Sequence, residues 1–162
     1  MLTLGIDPGT AIVGIGLVRE LKDGSLETVH YGVIRTKSSL PMWERLQIIH
    51  NDLQSIIQKY KPDRAAIEEL FFSRNVTTAI TVAQSRGVLM LTAAQANLEI
   101  AEYKPNEVKQ SVSGYGGADK AQMQEMTRLL LGLDEIPRPD DAADALAIAI
   151  TDLHSMRYNS LY

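Results

Sequence analysis

The chain contains no cysteine, which excludes disulfide scaffolds, thiolate zinc sites and cysteine nucleophiles. It has no run of about 18 apolar residues of the kind that spans a bilayer. No basic segment followed by an apolar core opens it either, because Asp7 interrupts the first hydrophobic stretch. These absences predict a cytoplasmic protein with no membrane association. Its three histidines, His30, His50 and His154, form no ligand pattern. No repeat, linker or low-complexity segment divides the 162 residues, a length that suits one domain with its own core. The expected organisation is a single domain over residues 1–156 and a short tail over 157–162. Positive charge is scarce: 16 Lys and Arg stand against 20 Asp and Glu, a formal net charge of -4. That balance disfavours a general nucleic-acid binder, because phosphate contacts supply most non-specific affinity.

What is present is an alternation of two hydrophobic periods. Leu2, Leu4 and Ile6 alternate with small or polar residues, as in a half-buried strand, and Pro8-Gly9 then punctuates a turn. AIVGIGLVRE and LETVHYGVIRT are rich in Val and Ile and are joined across an Asp-Gly hairpin signal. From Pro41 the period changes, and Leu46, Ile49, Leu53, Ile56, Ile57 and Tyr60 mark one helical face. RAAIEEL predicts a fourth strand, returning beside the first through a right-handed crossover. A loop at FFSRN, a long helix over Thr77–Leu98, a fifth strand at EIAEYK, two shorter helices and a terminal helix capped near Asp140 complete the pattern. The order βββαβαβα with extra helices predicts an α/β domain on a mixed five-stranded sheet flanked by helices.

The acidic residues fall at informative places. Asp7 ends the first strand, where it is either a turn-former or a group held at the sheet edge. In AAIEEL, alternation puts Ala66 and Glu68 on one face and Ile67 and Glu69 on the other, and by itself does not choose between the two glutamates. Asp141 and Asp144 lie three apart near the start of the terminal helix, where capping and the helix dipole would also favour them. A crossover places the ends of strands one and four on the same edge, and a packed terminal helix can bring its aspartates there. Four crowded carboxylates repel one another, and a hard divalent cation resolves that conflict. Oxygen-only ligands suit magnesium or manganese, and two such ions about 4 Å apart serve in-line phosphoryl displacement.

GIDPGT, AIEELFF, VKQSV, GGADKAQMQ and DAADALAIAI occur in the order and approximate spacing of the RuvC Holliday-junction resolvases, and over nearly its whole length the chain resembles that family. The resemblance implies an RNase H-like fold, a homodimer, and magnesium- or manganese-dependent cutting, with two ions per site, of two symmetrically placed strands at a four-way DNA junction. It implies that Asp7, Glu68, Asp141 and Asp144 hold the metals, and it selects Glu68 over Glu69. By the same resemblance Phe71 enters the junction and disturbs stacking, Arg74 and Asn75 touch backbone or base edges, and Lys109 and Lys120 neutralise phosphates near the cut. Cooperation with the RuvA and RuvB branch-migration proteins is also implied. The Thr77–Leu98 helix, through Ala79, Val82, Ala83, Leu89 and Met90, is the expected dimer surface.

Two rival readings are weaker. Asp7 to Thr10 also resembles the phosphate loop of actin-like and sugar-kinase-like ATPases, but those enzymes close two lobes over a nucleotide, and this chain supplies one. A catalytically silent DNA-binding protein of the same fold would not need every acidic position retained.

Overall fold

The structure, a computed structural model, describes residues 1–71 and 75–161. Five strands form one sheet: β1 (Leu2–Asp7), β2 (Ile12–Glu20), β3 (Leu26–Arg35), β4 (Arg64–Glu68) and β5 (Glu99–Tyr103). Their spatial order is β3-β2-β1-β4-β5. The first three strands are antiparallel, and β4 and β5 join in parallel. This is the mixed sheet expected from the sequence. The helices are α1 (Met42–Tyr60), α2 (Val76–Gln95), α3 (Pro105–Ser113), α4 (Lys120–Leu130) and α5 (Asp140–Asn159). The terminal helix therefore runs past residue 156, so the expected tail boundary falls inside its last turns. Among the described residues, no helix is long and apolar enough to cross a membrane.

The strand alternation sorts residues between two cores. Leu4, Ile6, Ile15, Leu17 and Ile67 face Ile49 and Leu53 of α1 and Leu89 of α2. Burying each such side chain contributes about 1.5–3 kcal/mol before ordering costs. The opposite face of the sheet carries smaller or polar residues. There Gly5, Gly14 and Gly16 let the backbone of α5 lie almost on the strands. A Cβ on Gly14 would stand 1.9 Å from the Asp141 carbonyl oxygen, and one on Gly16 would stand 2.6 Å from the Leu146 nitrogen. Gly5 and Gly16 are register partners, so the two strands form one trough. The helix matches it with alanines at 142, 143, 145, 147 and 149, all buried.

Farther along α5, Asp152 is fully buried and fixes the helix lengthwise. It accepts from Arg64 Nε at 2.9 Å and Nη2 at 3.1 Å, from Thr3 Oγ1 at 3.1 Å and from the Tyr103 hydroxyl at 2.9 Å. A buried carboxylate with this many donors meets the condition under which a buried charge is tolerated.

Gly16→Ala is expected to destabilise the fold by about 1–3 kcal/mol or more, because the new methyl meets helix backbone that has no rotamer to yield. Gly32→Ala, whose Cβ would meet only His30 Nε2 at 3.8 Å, should stay within about 1 kcal/mol of the parent. Chemical denaturation of the two variants checks the contrast.

Candidate active site

Side-chain alternation puts Asp7 on the same face of β1 as Gly5, and Glu68 on the same face of β4 as Ala66, so both carboxylates stand on the α5 side of the sheet. The trough brings α5 down beside them: the Cβ position of Gly14 lies 3.0 Å from Asp7 Cβ as well as against the Asp141 carbonyl. As a result Asp7, Asp141 and Asp144 each present an oxygen within 4.8 Å of the other two. Glu68 stands outside that tight trio but acts on it electrostatically. Its charge helps to raise Asp7, and the charge of Asp144 helps to raise Glu68.

The cluster is uncomfortable without a cation. Burial, and then the charges of Asp144, Glu68 and Asp141, push the Asp7 carboxyl up to about 8. Burial is also the main cause raising Glu68 and Asp144, while Lys109 opposes the rise at Glu68 and Lys120 opposes it at Asp144. Three half-buried carboxylates converging oxygen to oxygen fit a hard divalent cation, which removes both the repulsion and the desolvation penalty.

Lys109 and Lys120 line a cavity of about 300 Å³ together with Glu68 and Asp144. Both lysines thus stand beside the carboxylates, and Lys120 is also paired. Lys120 Nζ lies 3.0 Å from Asp140, and that contact, ahead of the more distant acids, raises its affinity for the proton. Asp140 is therefore not the cap of α5. Pro139 occupies the cap position without a side-chain bond, and the Asp140 carboxylate instead receives Lys120, Arg138 and Gln124. Phe71 is exposed and borders a second cavity with Pro8, Leu70, Val82 and Pro105. Asn75 caps α2, its side-chain oxygen accepting from the Thr78 amide at 3.2 Å. Arg74 lies outside the described residues.

Two residues that sequence reasoning passed over also reach the site. Ser85 of α2 donates to the Gly9 carbonyl, and Arg86 Nε donates to the Glu68 carbonyl at 3.0 Å. The available signal was a Ser-Arg pair inside an otherwise low-polarity helix. The loop after Asp7 is pinned elsewhere too, since Thr36 bonds the carbonyls of Thr10 and Ala11.

A carboxyl whose folded-state pKa is raised leaves the fold unpenalised below its unfolded value, here 3.8, and costs stability as pH climbs through about 8. Metal-free Asp7→Asn should thus be more stable than the parent at pH 8.5, by on the order of 1–3 kcal/mol. Added magnesium or manganese should stabilise the parent more than the variant. Thermal melts at pH 5 and 8.5, with chelator and with metal, check both signs.

Comparison with known proteins agrees with this geometry. Residues 3–152 match the family profile described as crossover junction endodeoxyribonuclease RuvC. A protein of that description from Heliobacterium modesticaldum is 55% identical over 158 residues, covering 98% of this chain and 97% of its own. The Thermus thermophilus RuvC solved in complex with a Holliday junction substrate superposes with a TM-score of 0.93 at 35% identity, covering 99% of this chain and 97% of that one. The fold is thus the RNase H-like one, and a yeast mitochondrial resolvase, Ydc2, shares it at 12% identity with a TM-score of 0.71 over 99% of this chain and 82% of its own. With a match of this extent and a carboxylate cluster that fits a metal site, the chain belongs to the RuvC family of crossover junction endodeoxyribonucleases.

Proposed function

We propose that the protein resolves four-way DNA junctions in homologous recombination and repair by hydrolysing one phosphodiester in each of two symmetrically placed strands. The observation that carries this reading is the convergence of Asp7, Asp141 and Asp144, with Glu68 beside them and Lys109 and Lys120 across the same cavity. Asp7, Glu68, Asp141 and Asp144 would hold magnesium or manganese, two ions per site. Bound there, the metal supplies an activated water and stabilises the charge developing on the leaving oxygen.

The protein's own groups then divide the remaining work. Lys109, whose charge already reaches Glu68, offsets phosphate charge at the cavity rim, and Lys120 does so from the first turn of α4. Phe71, exposed beside the site, wedges between base steps at the junction. Arg74 and Asn75 follow it and contact the strand. RuvA and RuvB are the expected partners in delivering the junction. The nuclease domain takes in the whole of α5, to Asn159.

Paired incision needs two sites related by a two-fold axis, and α2 offers a surface for the homodimer. Ala79 and Leu89, named from the sequence as part of that surface, are buried in the monomer core, because their spacing follows the sheet-facing side of the helix. The outward stripe is instead Val76, Ile80, Ala83, Gly87 and Leu91. Val76, Ile80 and Leu91 are each more than half exposed, and the Cβ position of Gly87 meets nothing within 4 Å beyond its own stretch of helix. Small residues between larger ones allow two helices to approach closely.

Asp7→Asn, Glu68→Gln, Asp141→Asn and Asp144→Asn should each lower junction cutting more than about 100-fold, beyond what changes in outer-shell partners usually cost, while junction binding persists. Phe71→Ala should reduce cutting and leave the salt dependence of binding unchanged. Lys109→Ala should flatten that dependence by about 0.9 in the log-log slope. Synthetic junction and duplex DNA with magnesium, manganese or chelator, followed by an ATP hydrolysis assay, test the reading. Near-parental cutting by a folded carboxylate variant, equal affinity for duplex and junction, or nucleotide turnover would defeat it.

For the dimer, Ile80→Asp should give a folded monomer by sedimentation at micromolar concentration that no longer makes coordinated paired cuts. A parent that sediments only as monomer, with and without junction, argues against the assembly.

A further inference from the structure

The two strands that carry Asp7 and Glu68 are not tied to each other at those residues. The parallel ladder between β1 and β4 has Ile6 with Ile67 as its last register pair. Beyond it, Asp7 is paired outward with Gly14 on β2, and Glu68 outward with Tyr103 on β5. The sheet leaves a seam between the strand ends just where the two carboxylates must keep a set separation.

One turn of α2 spans that seam. Ser85, fully buried, donates its hydroxyl to the Gly9 carbonyl two residues beyond Asp7. The next residue, Arg86, donates Nε to the main-chain carbonyl of Glu68 itself. The guanidinium is largely buried and is held from its far side. It pairs through Nη2 with Glu102 of β5, while Nη1 meets Met90 Sδ at 3.4 Å. Such a planar, rigid fork fixes a carbonyl more firmly than a flexible ammonium would. Consecutive residues of a single helix thus hold both strand ends from the face opposite the carboxylates.

We propose that Ser85 and Arg86 are positioning residues of the carboxylate site: by clamping the main chain at Gly9 and Glu68, they set the spacing of Asp7 and Glu68 to which the divalent cation must fit. The inference rests on the reading of those carboxylates as a cation site. Neither residue touches the reacting atoms. Their effect is therefore on how well the ligands are arranged before metal arrives, which is the usual consequence of outer-shell partners.

The test separates positioning from folding. Manganese binding to the DNA-free protein is measured by the loss of the free-ion resonance signal, alongside melting temperature and the magnesium dependence of junction cutting, for Ser85→Ala, Arg86→Gln, Arg86→Lys and Glu102→Gln. Ser85→Ala and Arg86→Gln are expected to weaken manganese binding by about 10-fold or more. The magnesium midpoint for cutting should move in the same direction, and much of the rate should return at saturating metal. Arg86→Lys should recover only part of the affinity, since one ammonium does not hold both Glu68 and Glu102. Glu102→Gln, which leaves the Nε bond to Glu68 intact, should shift binding less than Arg86→Gln. Folded variants with parental manganese affinity overturn the proposal, as does a fall in melting temperature with no change in manganese binding. A parent that binds no manganese sinks the cation reading and this inference together, whereas parental binding equal to that of the variants sinks the clamp alone.

Discussion

The site depends on how closely α5 approaches the sheet. A helix packed on strands through ordinary side chains stands about 10 Å from them, too far for short aspartates on both to share an ion. Here Gly5, Gly14 and Gly16 remove the Cβ layer from the strands, and the facing stretch of α5 is mostly alanine. The helix backbone descends into the trough, and Asp141 and Asp144 arrive beside Asp7. The same contact that closes the second core builds the site, so stability and function are coupled through a few missing methyl groups. Asp152 completes the constraint by fixing where along the trough the helix stops, through its bonds to Arg64, Thr3 and Tyr103.

The electrostatic design sets a penalty against a use. Burial and mutual repulsion raise Asp7, Glu68 and Asp144, which the fold tolerates because packing elsewhere supplies the stability. A net charge of -4 first reads as an obstacle to binding DNA. Several acids near the site are held in local contacts, two of them with cations. Glu107 accepts from the Lys104 amide at 2.7 Å, Asp119 accepts from the Gln122 amide at 2.8 Å, and Glu102 pairs with Arg86. Asp140 answers Lys120 and Arg138. At the cavity Lys109 opposes the charge of Glu68 and Lys120 that of Asp144, and a bound cation would reverse the local sign of the carboxylates.

Helix α2 links these features. One face packs into the core through Ala79, Leu89 and Ala93. A second, at Ser85 and Arg86, bonds the main chain at Gly9 and Glu68, and the third presents the exposed apolar stripe proposed as the subunit contact. With apolar residues on both its buried and its exposed sides, the helix gives no clear amphipathic direction.

Much of this was legible without coordinates. Hydrophobic periods of two and 3.6 marked the order of strands and helices, and an Asp-Gly hairpin signal with the right-handed crossover rule pointed to the mixed sheet. Strand alternation determined that Ala66 and Glu68 share a face, and the spacing of Asp141 and Asp144 determined that they share a turn. The side of α2 that faces outward was not legible, because both sides are apolar and only packing against the sheet chooses between them. Nor was the role of Asp140, which looks like a helix cap from its position but is claimed by Lys120 from another helix. The closeness of three carboxylates, and the hold of Ser85 and Arg86 on main-chain carbonyls, were decided only by tertiary structure. Residues from opposite ends of the chain meet there, and carbonyl groups, which every residue carries alike, leave no mark in a sequence.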